Sequence, residues 1–327
     1  MKVSVQLQTD DIGDPVRARF AMARPIIRGM LFSTKQTMVE ALGGNEKITL
    51  EQLARIYKEG SGDYGICFEY AVHDAIRRRD PIVHSLISTV LEDFCNITSG
   101  AESILFGAEK SGATHIIQTS ANLLTPDSRI LVGKAGQPPK LKAHLNKLVR
   151  AFRSPKHRET LPQSIRGLWK ADLFIGSPER DHWVATTLKI NRNQLVGDSG
   201  LRIGIYPETV PGESPRKDPS LNLILCPMPY NASFMELFSA TFIVIKQLFA
   251  ANAGIPSPVA LPYSADRYVA EQLSARRMYP VVQILEAMEP LAQPGLLVEE
   301  ERIEADGAPE TSTVSVAPIP QTVSGIA

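Results

Sequence analysis

A mixed α/β fold of the α+β type, with a mixed sheet flanked by helices and interrupted by a large helical insertion, follows from three features of this sequence. Apolar runs at Ala171 to Gly176, His182 to Ile190 and Leu201 to Tyr206 are separated by polar turn segments, the pattern of strands in one sheet. Amphipathic stretches with helical spacing lie before and after them. No fixed-period repeat is visible, which removes solenoids and propellers. The 327 residues are 43% hydrophobic and 21% charged, enough apolar material for one sizeable core or two smaller ones.

Residues 1–60 read as an N-terminal helical arm, with 15–58 helical. In Thr49-Leu50-Glu51-Gln52 the Thr hydroxyl and the Gln side chain satisfy orphan amides as a capping box, and Gly60 is placed to end that helix. Residues 61–290 form the core. Ile66, Phe68, Val72, Ala75 and Ile76 give a helical stripe over Tyr64 to Arg79. Asp80-Pro81 closes it, because the residue before a proline is pushed out of the helical region. The segment at about 81–170 is a mainly helical, basic insertion. It holds a helix over Ile82 to Phe94, short strands over Thr114 to Thr119 and Arg129 to Val132, and an amphipathic helix carrying Leu141, Leu145, Leu148, Val149 and Phe152. The runs from Ala171 then make a three-stranded meander, followed by a strand at Asn222 to Cys226, a long helix from Ala232 to Ala251, and a helix over Ala265 to Ala287. Beyond Pro294 the composition cannot bury enough apolar surface to offset chain entropy, so 291–327 is a disordered acidic tail.

Thirty-five basic and thirty-five acidic residues cancel, and their distribution is what carries information. Between Ser128 and Arg158 there are nine basic residues and no acid, whereas Glu286 to Glu310 carries eight acids and one Arg. A basic amphipathic helix is either a solvated face or a phosphate-tracking surface that gains by releasing counterions from nucleic acid. On the second reading Lys134, Lys140, Lys142, Lys147, Arg150 and Arg153 are the candidate nucleic-acid-binding residues. Cys67, Cys95 and Cys226 show neither a C-x-x-C pair nor zinc spacing, which fits a reducing cytoplasm. The start lacks an apolar signal region, and the most apolar stretch is interrupted by Glu236 and Lys246, so a membrane partner is not expected.

The chemistry concentrates on the first two strands of the meander. Period-two alternation puts Asp172 and Phe174 on one face with Leu173 and Ile175 opposite, and sets Thr187 beside Lys189 on the next strand. Asp172, Thr187 and Lys189 therefore meet across a hairpin. Phosphodiester hydrolysis needs such a grouping. A carboxylate holds a hard divalent cation that polarises the phosphate, and an ammonium orients the attacking water or neutralises developing charge. The histidines have no H-E-x-x-H spacing, and neither a phosphate loop nor a nucleophile elbow is present. The turn at Phe106 to Gly112 has no assignable role.

These residues resemble the PD-(D/E)XK nuclease superfamily, the restriction-endonuclease-like proteins. Asp172 matches the family's first acid and Thr187-Leu188-Lys189 its D/E-x-K triplet, with Thr in place of the second acid. Glu69, in Gly65-Ile66-Cys67-Phe68-Glu69-Tyr70, matches the acid on the helix before the sheet. The resemblance spans roughly Tyr64 to Arg79 and Ala171 to Tyr206. It implies a restriction-endonuclease-like core and a Mg2+- or Mn2+-dependent nuclease acting on DNA. Asp172 and Glu69 would be metal ligands, Lys189 the water-positioning group and Thr187 a hydrogen-bonding assistant. It also implies a restriction or phage-defence setting beside an ATPase or helicase partner, and a homodimer would supply the two sites that cutting both strands needs. The alternative is a non-catalytic nucleic-acid-binding or scaffold subunit that keeps the fold without the metal, since a neutral hydroxyl is a poor magnesium ligand.

Overall fold

The computed structural model describes residues 14–60, 63–106, 123–133, 137–197, 200–218, 220–230, 232–252, 259–261, 263–289 and 313–314. In chain order the elements are α1 (Asp14–Ser33), α2 (Gln36–Ala41), α3 (Leu50–Ile56), α4 (Asp63–Arg77), α5 (Pro81–Cys95), β1 (Glu102–Leu105), β2 (Arg129–Leu131), α6 (Leu141–Arg153) and α7 (Pro155–Glu159). They continue with β3 (Leu173–Ser177), β4 (His182–Leu188), β5 (Arg202–Pro207), β6 (Arg216–Asp218), β7 (Leu223–Met228), α8 (Leu237–Asn252), β8 (Val259–Ala260), α9 (Ser264–Ala275), α10 (Val281–Met288) and β9 (Thr313–Val314). The class is α+β, with a seven-stranded mixed sheet among helices.

These elements fall into two compact units, one of which combines α1 to α3 with α8 to α10 and the β8–β9 pair. The N-terminal segment is thus not a free-standing arm, and α8 to α10 do not belong with the sheet. The reason is apolar area. Phe20, Ile26, Ile27 and Met30 of α1 are fully buried, and α1 packs against α8, α9 and α10. The Tyr57 and Phe249 rings meet edge to face at 5.5 Å. Arg19 and Asp266 form a buried ion pair inside this unit. The capping box at α3 is formed, with Thr49 Oγ1 accepting from Gln52 N at 3.1 Å and Gln52 Oε1 accepting from Thr49 N at 3.0 Å. The helix ends at Ile56, four residues short of Gly60. The helix expected over Ala265 to Ala287 is two helices: α9 ends at Ala275, the residue before Pro280 is disfavoured in helical geometry, and α10 restarts at Val281 with Pro280 as its N-cap residue. Phe234–Ala251 is long and apolar enough to cross a bilayer, yet 56% of it is buried inside the protein.

The other unit, within residues 62–236, holds the sheet. Strand order is β1-β3-β4-β5-β7-β6, with β2 also paired to β4. The expected insertion supplies β1 and β2 to this sheet. The expected meander is corrected at its second step. β3 and β4 are antiparallel, but β5 lies parallel to β4, and residues 189–201 cross back over through a 3-10 turn at Arg192–Gln194. A connection that long permits a return crossover, whereas an antiparallel neighbour needs only a hairpin. β7 continues in parallel beside β5, and β6 closes the edge in antiparallel fashion.

Every residue of β3 and β7 is buried, and Trp183, Phe174 and Phe106 fill the sheet's core, the last two ring to ring at 5.0 Å. A side chain at Gly176 would strike the His182 carbonyl, so close strand approach demands glycine there. Asp80 caps α5 through Ile82 N at 3.1 Å and Val83 N at 2.7 Å, after Arg79 turns the chain at φ +57°. The three cysteines are buried free thiols, and burial pushes Cys95 and Cys226 up to about 12. The expected strand over Thr114 to Thr119 and the Phe106–Gly112 turn beyond Phe106 lie outside the described residues. Of the 291–327 tail only Thr313–Val314 is described, as β9 paired with β8.

Candidate functional site

Asp172 sits one residue before β3, with its backbone N donating to the Thr186 carbonyl at 2.9 Å and its own carbonyl accepting from Phe106 N at 2.8 Å. Both main-chain groups are therefore fixed, and the side chain turns toward β4. There Oδ2 accepts from Thr187 Oγ1 at 2.9 Å, from Leu188 N at 2.8 Å, and from Lys189 Nζ at 3.5 Å. Three of the residues singled out from the sequence thus meet on one carboxylate oxygen. The other oxygen, Oδ1, accepts no hydrogen bond among the described residues.

Exposure grades across this cluster. Thr187 is buried, the Asp172 side chain is 17% exposed and that of Lys189 is 33% exposed, so the ammonium and the far carboxylate oxygen face a boundary with solvent. Lys189 N donates to the Ile205 carbonyl at 3.0 Å, which holds the β4 backbone in place right up to the lysine.

Glu69 lies on α4, half-buried, and α4 packs against β1 and β4. One turn on, His73 Nδ1 pairs with Ser103 Oγ of β1 at 2.9 Å, which fixes the helix to that edge of the sheet. The hydrogen bonds to the Asp172 carboxylate come from β4 and from Lys189 just beyond it, and Glu69 supplies none of them. Among the described residues no group of three or more His, Cys, Asp and Glu side chains is gathered for a metal.

The basic helix has the amphipathic form its spacing predicted. On α6, Leu141, Leu145, Leu148 and Val149 are buried while Lys142, Lys147 and Arg150 are exposed with no acidic partner among the described residues. Lys140 differs, because its ammonium pairs with Asp127 Oδ1 at 2.9 Å, just outside the acid-free segment. Lys134 and the Arg153 side chain lie outside the described residues.

α6 packs on α7 and on the 3-10 turn Leu168–Lys170, where Arg158 stacks over the Trp169 ring at 4.1 Å and Lys170 lies 5.6 Å from the same ring. Buried Arg202 donates to the Gly167 carbonyl and ties this layer to β5. Arg202 pairs with Ala185, two residues before Thr187, so the basic layer and the Asp172 cluster share a face of the sheet.

A second polar cluster has no local signature in the sequence. Glu213 Oε1 accepts from Tyr206 Oη at 2.8 Å, from Arg216 Nη1 at 2.8 Å and from Arg192 Nη1 at 3.2 Å, while the Arg192 guanidinium lies 5.6 Å over the Tyr206 ring. Burial pushes the Tyr206 phenol up to about 12, and Glu213 adds to that effect. Burial alone would raise Glu213, but the bonds from Arg216 and Tyr206 and the charge of Arg192 outweigh it, so its carboxyl is lowered.

No family model, curated protein or solved structure matches this chain.

Proposed function

We propose that this chain is a Mg2+- or Mn2+-dependent nuclease that hydrolyses phosphodiester bonds in DNA, with its sheet serving as a restriction-endonuclease-like core. The observation that carries this reading is the convergence of Thr187, Leu188 N and Lys189 on Oδ2 of Asp172, with Oδ1 left open. The donor set suits a hard cation. Magnesium keeps several waters and needs only one or two carboxylates, with substrate phosphate oxygens completing its shell. Asp172 would hold it through Oδ1; Glu69, the second acid the resemblance implies, lies on α4, which docks through His73 and Ser103 on the opposite face of the sheet. When bound, the ion supplies Lewis acidity at the phosphate and lowers the pKa of its coordinated water.

The chain's own residues do the rest. Lys189 orients the attacking water and neutralises charge that builds on the phosphate oxygens. Thr187 and Leu188 N hold the Asp172 carboxylate in one rotamer, so the lysine and the open oxygen keep a constant relation. Lys142, Lys147 and Arg150 grip the DNA backbone from the same face of the sheet. A defence role beside an ATPase or helicase, with a homodimer for double-strand cutting, follows from the family resemblance.

Plasmid relaxation and linearisation with magnesium or manganese tests the proposal. Wild-type protein cuts, and Asp172→Asn and Lys189→Ala each lower cutting by 100-fold or more while melting as wild type does. Undiminished cutting in both variants ends this site assignment.

A second reading rests on Thr187 standing where the family has an acid. On it the chain binds DNA without cutting. Steeply salt-dependent binding with no cleavage under any divalent metal selects that reading, and no salt-sensitive affinity at all selects a protein scaffold.

A further inference from the structure

We infer that Arg192 and Arg216 form a second phosphate-binding subsite beside Lys189, with Glu213 as the residue that positions them. The inference rests on the phosphodiester reading above and assigns to this pair the DNA phosphate neighbouring the one at Asp172.

The register carries the geometry. Thr187 pairs with Gly204, Gly204 with Leu225, and Leu225 with Arg216, so Thr187 and Arg216 lie in one row across the same face of the sheet. Leu188 pairs with Ile205, and the backbone bond from Lys189 N to the Ile205 carbonyl carries the pairing one step further. Lys189 and Tyr206 are therefore neighbours on adjacent strands, facing the same way.

The crossover after Lys189 then folds over that face. Leu195 reaches Gly204 so closely that a β-carbon there would lie 3.0 Å from both of its terminal methyls. Arg192 is set down over the Tyr206 ring.

Chemistry supplies the ligand class. Two guanidiniums converge on one carboxylate, which leaves the cluster with a net positive charge. Each bonds Glu213 through Nη1, and neither Nε nor Nη2 of either arginine has a hydrogen-bond partner among the described residues. The two side chains are 37% and 44% exposed, whereas Glu213 is 10% exposed. Asp218 is also within electrostatic reach of Arg216, but its carboxylate is engaged by Ser220 and Leu221 N. A mostly buried acid thus holds two half-exposed guanidiniums with their remaining donors facing outward. That is a preorganised fork for a tetrahedral oxyanion, and Arg suits phosphate because its planar donors bind two oxygens at once.

The test uses the full chain and a fluorescein-labelled duplex, with binding followed by anisotropy in calcium as salt is raised. Arg192→Gln with Arg216→Gln together should weaken binding and lower the slope of log affinity against log salt by about 0.9, the value for one lost phosphate.

Glu213→Ala separates positioning from bulk charge. Removing a negative charge should tighten DNA binding if Glu213 acts only through the field. If Glu213 positions the arginines, binding weakens several-fold despite the added positive charge. An unchanged slope in the double variant, or tighter binding by Glu213→Ala, overturns the subsite whether or not the wild-type protein cuts DNA. Wild-type protein with no salt-dependent affinity overturns the subsite and the nuclease reading together. Should Glu213→Ala fail to fold, the double arginine variant decides alone.

Discussion

Thr187→Val removes one hydroxyl from a buried position and leaves the side-chain shape almost unchanged. The lost bond is a 2.9 Å hydrogen bond to a carboxylate, and such bonds to charged groups contribute about 1.5–3 kcal/mol. Asp172 keeps Leu188 N at 2.8 Å and the ammonium at 3.5 Å, so the carboxylate is loosened and not released. The expected destabilisation is about 1.5–2 kcal/mol by urea unfolding. Cleavage should fall about tenfold, since roughly 1.4 kcal/mol of lost positioning corresponds to one decade in rate. Thr187→Ser retains the hydroxyl and loses one methyl, so it should cost about 1 kcal/mol of packing and leave cleavage within about twofold. A cycle with Asp172→Asn should give a coupling of about 1 kcal/mol or more, as expected for residues in direct contact. Additive effects in that cycle, or equal cleavage by the Val and wild-type proteins, would refute the view that Thr187 acts through Asp172.

Three further outcomes follow from other parts of the molecule. Burial raises Asp80 from the ordinary 3.8 to about 6, against the smaller opposing effect of its bonds from Val83 and Ile82. The folded protein therefore binds a proton that the unfolded chain releases, and stability from this group is lost as pH rises from about 4 to 6. A shift of that size corresponds to about 3 kcal/mol, so Asp80→Asn should stabilise the protein at pH 7 by about 2 kcal/mol and flatten the melting profile across that window. Replacing Lys142, Lys147 and Arg150 with Gln should lower the salt slope of DNA binding by about 2.7 without changing the melting temperature appreciably. Asp266→Ala strands the buried Arg19 guanidinium and should cost about 3–5 kcal/mol, most of which Arg19→Met with Asp266→Leu should recover.

The site was legible where local rules fix side-chain direction. Alternation along β3 and β4 was enough to bring Asp172, Thr187 and Lys189 together, because in a strand the face of a residue follows from its parity and the two strands are joined by a short turn. The amphipathic face of α6 and the cap at Thr49 were legible for the same reason, since each depends on residues within a few positions. Connection geometry was not legible. The polar stretch from Asn191 to Gly200 reads as a turn between antiparallel strands, and nothing local records that β5 returns parallel to β4. The arginine pair escaped notice as a result, because Arg192, Tyr206, Glu213 and Arg216 become neighbours only through that crossover and the β5–β7–β6 register. The grouping of α1 with α8 to α10 is likewise decided by packing between segments some two hundred residues apart, which no periodicity encodes.

Cleavage of DNA by this chain depends on Asp172 gripping one divalent ion. Manganese binding followed by electron paramagnetic resonance measures this directly in the full chain. The wild-type protein should take up one Mn2+ that magnesium displaces, and Asp172→Asn should weaken that binding by 30-fold or more. Equal Mn2+ uptake by wild type and Asp172→Asn would contradict the account.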